Sequence, residues 1–343
     1  MPQHVAVVFV HGIFANALKY SVPMQKQLLK LLPRDLRRYL DFEEVFWAGP
    51  VRSRQSAYMQ NAKTDADIVE NKLRTFFIEG LGDAAAYQKT RRRENSIYYQ
   101  VHDEINITLG RYDDRLHKNT PLVFIGHSLG SHIISSYVWD LNKLKQIPED
   151  KIKQEDEQVR NLHEEMKHAT PFRRLDTLAG LVTFGSNIPL FTFTFGPARI
   201  FPLTRAPGDG GTLKPAFPGN KLPAALQQSA QWLNFYSKRD VLGYPLKPLN
   251  EYFGAEPRIE DICVRSESRI SRILPYWSSI SAHTGYWTNA TVLSRTAALI
   301  RDIIEAPAID PAPDAARPGI GNQGSGISYQ KQKTGPCGPV FDS

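Results

Sequence analysis

The 343-residue sequence has few cysteines, no long apolar run and no long block of like charge. Its two cysteines, Cys263 and Cys337, cannot build the disulfide framework of a small secreted domain, and they fit a reducing compartment. No apolar run approaches the roughly 18 residues of a membrane span, so an integral membrane segment is not expected. Residues 5–10 are apolar but lack a preceding basic region, unlike a secretory signal. These absences predict a cytoplasmic protein.

The charge and composition are those of an ordinary globular chain. The net charge is +7, and the basic residues are scattered over short groups at 37–38, 89–93 and 173–174. Nucleic-acid binding needs a concentrated basic face, so no nucleic-acid partner is expected. A mildly basic surface still allows peripheral contact with a membrane. With 41% hydrophobic residues, the chain is long enough and apolar enough to bury a large core.

The stretch 121–139 has the pattern of a buried strand that turns sharply into a helix. Four consecutive apolar residues at 122–125 suit a strand buried on both faces, and beyond Gly130 apolar residues recur at intervals of three and four. Between them lies the sequence Gly126-His127-Ser128-Leu129-Gly130. A serine flanked by glycines at a strand-to-helix turn is typical of a nucleophile elbow. We therefore predict that Ser128 is a nucleophile held at a strained corner.

Further apolar runs alternate with amphipathic segments along the chain. Strands are predicted at 5–10, 42–47, 178–184, 232–236 and 262–264. Helices are predicted at about 22–32, in part of 50–95, at 96–116 and at 288–304. This alternation predicts an α/β fold, in which a mostly parallel sheet of about six strands is covered by helices on both faces.

Two segments within the predicted domain at 1–304, and one after it, stand apart from this alternation. Residues 146–175 alternate acids and bases, which predicts a solvated helical insert. Residues 188–224 are rich in proline, glycine and phenylalanine and too long for a bare connection, which predicts either a cover over a site or a loop packed on the body. Residues 305–343 are dominated by proline, glycine and small polar residues, which predicts a disordered tail.

Residues at the predicted carboxyl ends of the strands have the chemistry of nucleophilic catalysis. A serine hydroxyl needs a base to take its proton, histidine does this best near neutral pH, and a carboxylate beyond the histidine orients it. The hypothesis assigns Ser128 as nucleophile, His283 as general base and acid, and Asp240 as the orienting carboxylate. The backbone N–H groups of Ile13 and Leu129 are the predicted oxyanion hole.

Both the acid and the histidine have competitors elsewhere in the chain. Asp209 and Asp261 are alternatives to Asp240. The alternatives to His283 are His163 and His168, in the charged insert, and His132, on the helix that follows the serine. We expect the side chain of His132 to point away from the side of attack, because it lies about one helical turn beyond the serine.

The order serine, then acid, then histidine resembles that of the α/β-hydrolase superfamily. The likeness is carried by His11-Gly12-Ile13 after the first strand, by the elbow, by Asp240 and by His283, and it covers residues 4–304. It implies the α/β-hydrolase fold without the first two strands of that family. It also implies hydrolysis through a covalent acyl-enzyme with no metal or organic cofactor. The stretch of about nineteen residues between Val264 and His283 is longer than the family's usual loop.

The resemblance favours a serine hydrolase of esterase or lipase type that acts on a small-molecule or lipid-like carboxylic ester. The candidates for contact with that substrate are Phe14, His127, Phe191 and Tyr286. His11 and His127 take positions typical of the family, and we expect them to pack or hydrogen-bond rather than to act as the base. The same acyl-enzyme would serve a thioesterase or an acyltransferase. A non-catalytic binding protein of the same fold is the alternative from another class.

Overall fold

The computed structural model describes residues 2–13, 18–66, 68–69, 78, 82–90, 96–195, 203, 213–252, 258–267 and 281–307. The predictions made for Phe14, for Asp209 and for the tail beyond 307 fall outside these residues, as does much of the 188–224 segment.

Six parallel strands form the sheet. They are β1 (Val5–Val10), β2 (Leu40–Val45), β3 (Leu122–His127), β4 (Leu178–Phe184), β5 (Gln231–Tyr236) and β6 (Ile259–Cys263). Their order across the sheet is β2-β1-β3-β4-β5-β6, and every neighbouring pair is parallel. The predicted α/β class and the predicted number of strands are confirmed. The strand order reverses between β1 and β3, and in such sheets ligands bind beyond the carboxyl ends of the strands at the point of reversal.

Helices connect the strands. They are α1 (Val22–Leu31), α2 (Gly49–Ala66), α3 (Gly82–Ala86), α4 (Ile97–Gly110), α5 (Leu129–Lys145), α6 (Glu149–Ile152), α7 (Glu157–His168), α8 (Ile188–Phe195), α9 (Ala224–Ser229) and α10 (Ala290–Glu305). Short 3₁₀ turns occur at Arg37–Tyr39, Lys247–Tyr252 and Gly285–Thr288. Asn289 caps α10, because its side chain accepts the N–H groups of Thr291 and Val292. Within the described ranges, no helix is both long and apolar enough to cross a membrane.

Two apolar layers lie on opposite faces of the sheet. Successive residues of a strand point to opposite faces, so Val8 joins the layer that contains residues of α4 and α5, and Val7 joins the layer that contains residues of α1 and α10. Every residue of β1, β3 and β4 is buried. This is why these strands have nearly continuous apolar sequences rather than alternating patterns.

β2 and β6 differ most from the predicted strands, and β3 and β5 differ by one or two residues at one end. β2 ends at Val45 and not at Trp47, because the backbone N–H of Trp47 donates to His11 Nε2 and its indole N–H donates to the His11 carbonyl oxygen. β6 begins at the buried Ile259 and not at 262, because the two residues that follow, Glu260 and Asp261, are half-exposed acids on the edge of the sheet. An apolar pattern identifies buried strands, and it therefore missed the first half of an edge strand.

Two helices, α6 and α7, lie within the charged segment 146–175, and one side of α7 is not solvated. Met166 is buried, and Val159 and Leu162 pack against the core. These three residues recur at intervals of three and four, which gives α7 one apolar face in spite of its many charges. Lys145 Nζ lies 2.9 Å from Asp176 Oδ1 in an ion pair that joins the end of α5 to the segment before β4.

Candidate active site

Ser128 occupies a sharp corner between β3 and α5. Its backbone has φ +53° and ψ −125°, a conformation that residues with a side chain rarely adopt. The corner is possible because its neighbours are glycines. A Cβ on Gly126 would lie 2.9 Å from Ser131 Cα, and a Cβ on Gly130 would lie 2.2 Å from the Val10 carbonyl oxygen. The nucleophile elbow read from the sequence is thus present in its backbone geometry.

The segment after β1 lies directly against the serine. A Cβ on Gly12 would lie 2.4 Å from Ser128 Cβ and 3.1 Å from Ser128 Oγ, so glycine is needed for this close approach. His11 fixes the segment from the other side, because its ring stacks on Trp47 with a centroid distance of 4.8 Å. The Trp47 N–H donates to His11 Nε2, so His11 Nδ1 carries the hydrogen and donates to the Gly12 carbonyl oxygen at 2.6 Å.

Ser128, His283 and Asp240 form one chain of hydrogen bonds. Ser128 Oγ lies 2.8 Å from His283 Nε2, and His283 Nδ1 lies 3.0 Å from each carboxylate oxygen of Asp240. Because a carboxylate only accepts, Nδ1 must carry the hydrogen, which leaves Nε2 free to accept from the serine hydroxyl. All three residues are buried. The histidine is therefore in the tautomer that a general base for Ser128 requires.

Asp240 receives further donors that keep it ionised. The backbone N–H of Leu242 donates to Oδ1 at 2.9 Å, and the Tyr286 hydroxyl donates to Oδ2 at 2.9 Å. Burial raises the pKa of Asp240, but the hydrogen bonds and charge of His283, together with these two donors, lower the pKa by more, so it lies below its usual range. A Cβ on Gly243 would lie 2.3 Å from Oδ2, so the chain can wrap the carboxylate only with glycine there.

Of the two competing acids, Asp261 lies within the described residues, and its partners differ from those of Asp240. Asp261 accepts from the Asn234 side chain at 2.7 Å and from the backbone N–H groups of Leu246 and Lys247 at 2.9 and 2.7 Å. These bonds hold the turn after β5 to β6. Asp261 thus anchors a turn, whereas Asp240 contacts His283.

The competing histidines contact groups other than the serine hydroxyl. His163 is buried beside Glu164, and His168 is exposed on the last turn of α7. His132 stacks on Phe191 with a centroid distance of 3.7 Å and an interplanar angle of 3°. That stack directs His132 toward α8.

His127 holds the backbone of His283. Its Nε2 donates to the His283 carbonyl oxygen at 2.8 Å, and its ring stacks on Phe184. Burial and, to a smaller extent, the neighbouring His283 lower the pKa of His127 to about 3, so the ring is neutral at physiological pH. Burial likewise lowers the pKa of His11 to about 3. Both rings therefore act as fixed hydrogen-bonding groups, and the prediction that His127 contacts substrate stays a prediction.

The remaining site predictions concern the oxyanion hole and the substrate contacts. Leu129 is the first residue of α5, so its N–H has no acceptor within the helix. Ile13 is buried at the end of the segment that lies against the serine. Phe191 is half-buried against His132, and Tyr286 is fully buried against Asp240. The roles predicted for these four residues stay predictions.

Sequence reasoning missed two contacts of the site. Tyr286 was expected to line a pocket, but its hydroxyl is a donor to Asp240. Trp47 was expected only to end a strand, but it holds His11 by two hydrogen bonds and a stack. The position of Tyr286, three residues beyond His283, was the only local signal for the first contact, and no local signal pointed to the second.

Solved structures similar to this chain share little of its sequence. No family model matches the chain, and no curated protein matches it. It is similar to Est1E from Butyrivibrio proteoclasticus, with 8% identity and a TM-score of 0.39 over 89% of this chain and 90% of that chain. It is also similar to TT1662 from Thermus thermophilus, with 11% identity and a TM-score of 0.32 over 89% of this chain and 91% of that chain. Because both TM-scores are below 0.5, we assign the fold from the sheet and the elbow alone.

These two features are sufficient for that assignment. The serine stands at positive φ between β3 and α5 of a six-stranded parallel sheet, and the acid and then the histidine follow it in the chain. This architecture is the α/β-hydrolase fold.

Proposed function

We propose that the protein is a serine hydrolase that cleaves carboxylic esters through an acyl-enzyme. One observation carries the proposal: Ser128 Oγ stands at a strained corner 2.8 Å from the nitrogen of a buried histidine whose other nitrogen is 3.0 Å from both oxygens of Asp240. A serine with no reaction to perform has no need of a base in a fixed tautomer or of an ionised, buried carboxylate behind that base.

In the proposed reaction, Ser128 Oγ attacks the acyl carbon while His283 Nε2 takes the hydroxyl proton. The carbonyl oxygen becomes an oxyanion, which the N–H groups of Leu129 and Ile13 would stabilise. The C–O bond to the alcohol then breaks, and His283 gives its proton to the leaving oxygen. Water attacks the acyl-enzyme in the same way, which releases the acid and restores the serine. Asp240 stabilises the positive charge of His283 in both halves of the reaction.

Each part of this machinery has an expected contribution to the rate. One oxyanion-hole donor contributes about 10²–10³-fold, and a complete triad contributes about 10⁶-fold, of which loss of the nucleophile removes nearly all.

The exposed free thiol of Cys263 fits the predicted reducing, cytoplasmic surroundings. A small-molecule or lipid-like ester is the proposed substrate, and no nucleic-acid partner is proposed.

The test is covalent labelling by a fluorophosphonate, which reacts only with activated serines. Intact mass is measured on the wild type, on Ser128→Ala and His283→Ala, and on Ser294→Ala as a matched control, since Ser294 is an exposed serine on α10. We expect one adduct on the wild type and on Ser294→Ala, none on Ser128→Ala, and labelling slowed at least 10³-fold on His283→Ala. Folded wild type that gains no adduct, with or without detergent, would exclude the proposal and favour the binding-protein alternative.

A further inference from the structure

A cavity separate from the serine site lies among α4, α5 and the charged insert. Its volume is about 230 Å³. One side is apolar and is formed by Leu141, Leu144, Ile147, Val159, Leu162 and Met166. The other side carries His102, Tyr137 and Asp140. Tyr137 is nine residues beyond Ser128 on α5, which puts it about 13 Å further along the helix axis.

The Tyr137 hydroxyl is available to a ligand in this cavity. Its side chain lines the cavity and the residue is only 5% exposed, yet its hydroxyl makes no hydrogen bond to any described residue. A buried tyrosine hydroxyl usually has a partner. Burial raises the pKa of Tyr137, so the hydroxyl stays protonated at all physiological pH values. A tyrosine that lines a cavity and whose hydroxyl bonds none of the described residues points to a ligand with a hydrogen-bonding atom.

The charges at the polar side of the cavity already have partners. Lys89 Nζ lies 2.8 and 2.9 Å from the two oxygens of Asp140, and the Tyr98 hydroxyl donates to the same carboxylate. Burial raises the pKa of Asp140, but His102 and Lys89 lower it by more, so Asp140 stays ionised. The other charged lining residues, Asp103, Lys143 and Glu155, are exposed to solvent at the rim. A charged ligand would lose its hydration here and find no buried charge that lacks a partner.

We propose that this cavity binds a small uncharged amphiphile, with one hydroxyl group that bonds Tyr137 and an apolar body that lies on the side formed by α5 and α7. Size supports this class of ligand. A dry protein cavity of about 150 Å³ holds benzene, so the larger volume here suits a phenol with a short alkyl chain. Binding at this cavity does not depend on the serine site, so it is expected in an inactive protein as well.

The test uses 4-propylphenol as the probe, with binding measured by calorimetry on the full chain. Three matched compounds vary one property each: propylbenzene lacks the hydroxyl, 4-propylbenzoate is anionic and 4-propylbenzylamine is cationic. We expect the phenol to bind the wild type and the two ions to bind at least tenfold more weakly. Tyr137→Phe should weaken binding of the phenol roughly five- to tenfold and leave binding of propylbenzene unchanged.

Two further variants locate the probe. Tyr58→Phe removes an exposed tyrosine hydroxyl on α2 and should leave all affinities unchanged. Leu162→Trp fills the cavity from its half-buried edge and should weaken every probe. Tyr137→Phe removes a hydroxyl that bonds no described residue, so it is expected to melt at or above the wild-type temperature. Equal affinity of the phenol for wild type and Tyr137→Phe, tighter binding of either ion, or absence of binding would each overturn the proposal.

Discussion

Replacement of Gly12 by alanine is expected to disable the site while the sheet stays folded. A Cβ on Gly12 would lie 2.4 Å from Ser128 Cβ and 2.7 Å from the His127 carbonyl oxygen. Carbon atoms in contact normally lie about 3.5–4.0 Å apart, so the segment after β1 and the elbow must separate by roughly 1 Å. The conflict is steric, because Gly12 does not have a positive φ that alanine would find difficult.

The size of the effect follows from that displacement. A misplacement of about 1 Å at a catalytic group costs on the order of 10²-fold in rate, which corresponds to roughly 2.7 kcal/mol in activation free energy. Overpacking at a tight contact lowers the free energy of unfolding by about 1–3 kcal/mol. The loss of activity should therefore be large, while the loss of stability should leave the protein folded at room temperature.

The assay is the second-order rate constant of fluorophosphonate labelling, read together with a thermal melt followed by circular dichroism. Gly49→Ala is the matched control, because Gly49 begins α2 and a Cβ there meets nothing within 4 Å. We expect labelling of Gly12→Ala to slow about 100-fold and Gly49→Ala to label at the wild-type rate. A Gly12→Ala protein with wild-type labelling and an unchanged melting temperature would refute the steric reasoning.

Two further predictions concern the acid. Asp240→Asn should lower kcat about 10⁴-fold, because an amide favours the wrong tautomer of His283. Asp261→Asn should keep the activity within about tenfold of the wild type. Steady-state hydrolysis of a chromogenic ester measures both variants, and a larger loss in Asp261→Asn would assign the role of the acid to Asp261. Tyr286→Phe should lower the free energy of unfolding by about 1.5–3 kcal/mol at pH 7, since it removes a hydrogen bond to a buried carboxylate. Because the pKa of Asp240 is lowered in the folded state, that contribution is present above the unfolded pKa of about 3.9 and is lost as the pH falls through the folded value. Urea unfolding at pH 7 and at successively lower pH should show the difference between the two proteins shrinking, and a difference independent of pH would contradict the assignment.

The parts of the fold that could be predicted from the sequence are those set by local pattern. The bounds of β1 and β4 agree with the prediction to the residue, because a strand buried on both faces has a nearly continuous apolar sequence. The elbow was predictable for a similar reason, since two glycines and a serine between a strand and a helix leave few other conformations. Edge strand β6 was predicted only in part, because half-exposed strands tolerate charged residues.

The contacts that complete the site could not be predicted in the same way. The hydrogen bond from His127 to the His283 carbonyl oxygen joins residues 156 positions apart, and the bond from Tyr286 to Asp240 joins residues 46 positions apart. Such partners are chosen by how the loops at one sheet edge pack together, and no periodicity in the sequence reports that packing. The order serine, acid, histidine could be used as a signal, because it depends only on which strand each residue follows and not on side-chain contacts.

The described residues that hold His283 lie outside the middle of the stretch between Ser266 and Ala282. Its ring is held from β5 through Asp240 and its backbone from the elbow through His127, while the Ser266 hydroxyl bonds the Ala282 carbonyl oxygen at 2.6 Å. The chain between Ser266 and Ala282 is therefore closed at its base by a contact that does not depend on its length. We therefore expect that insertions, deletions or a grafted module placed between Ser266 and Ala282 leave the position of His283 unchanged.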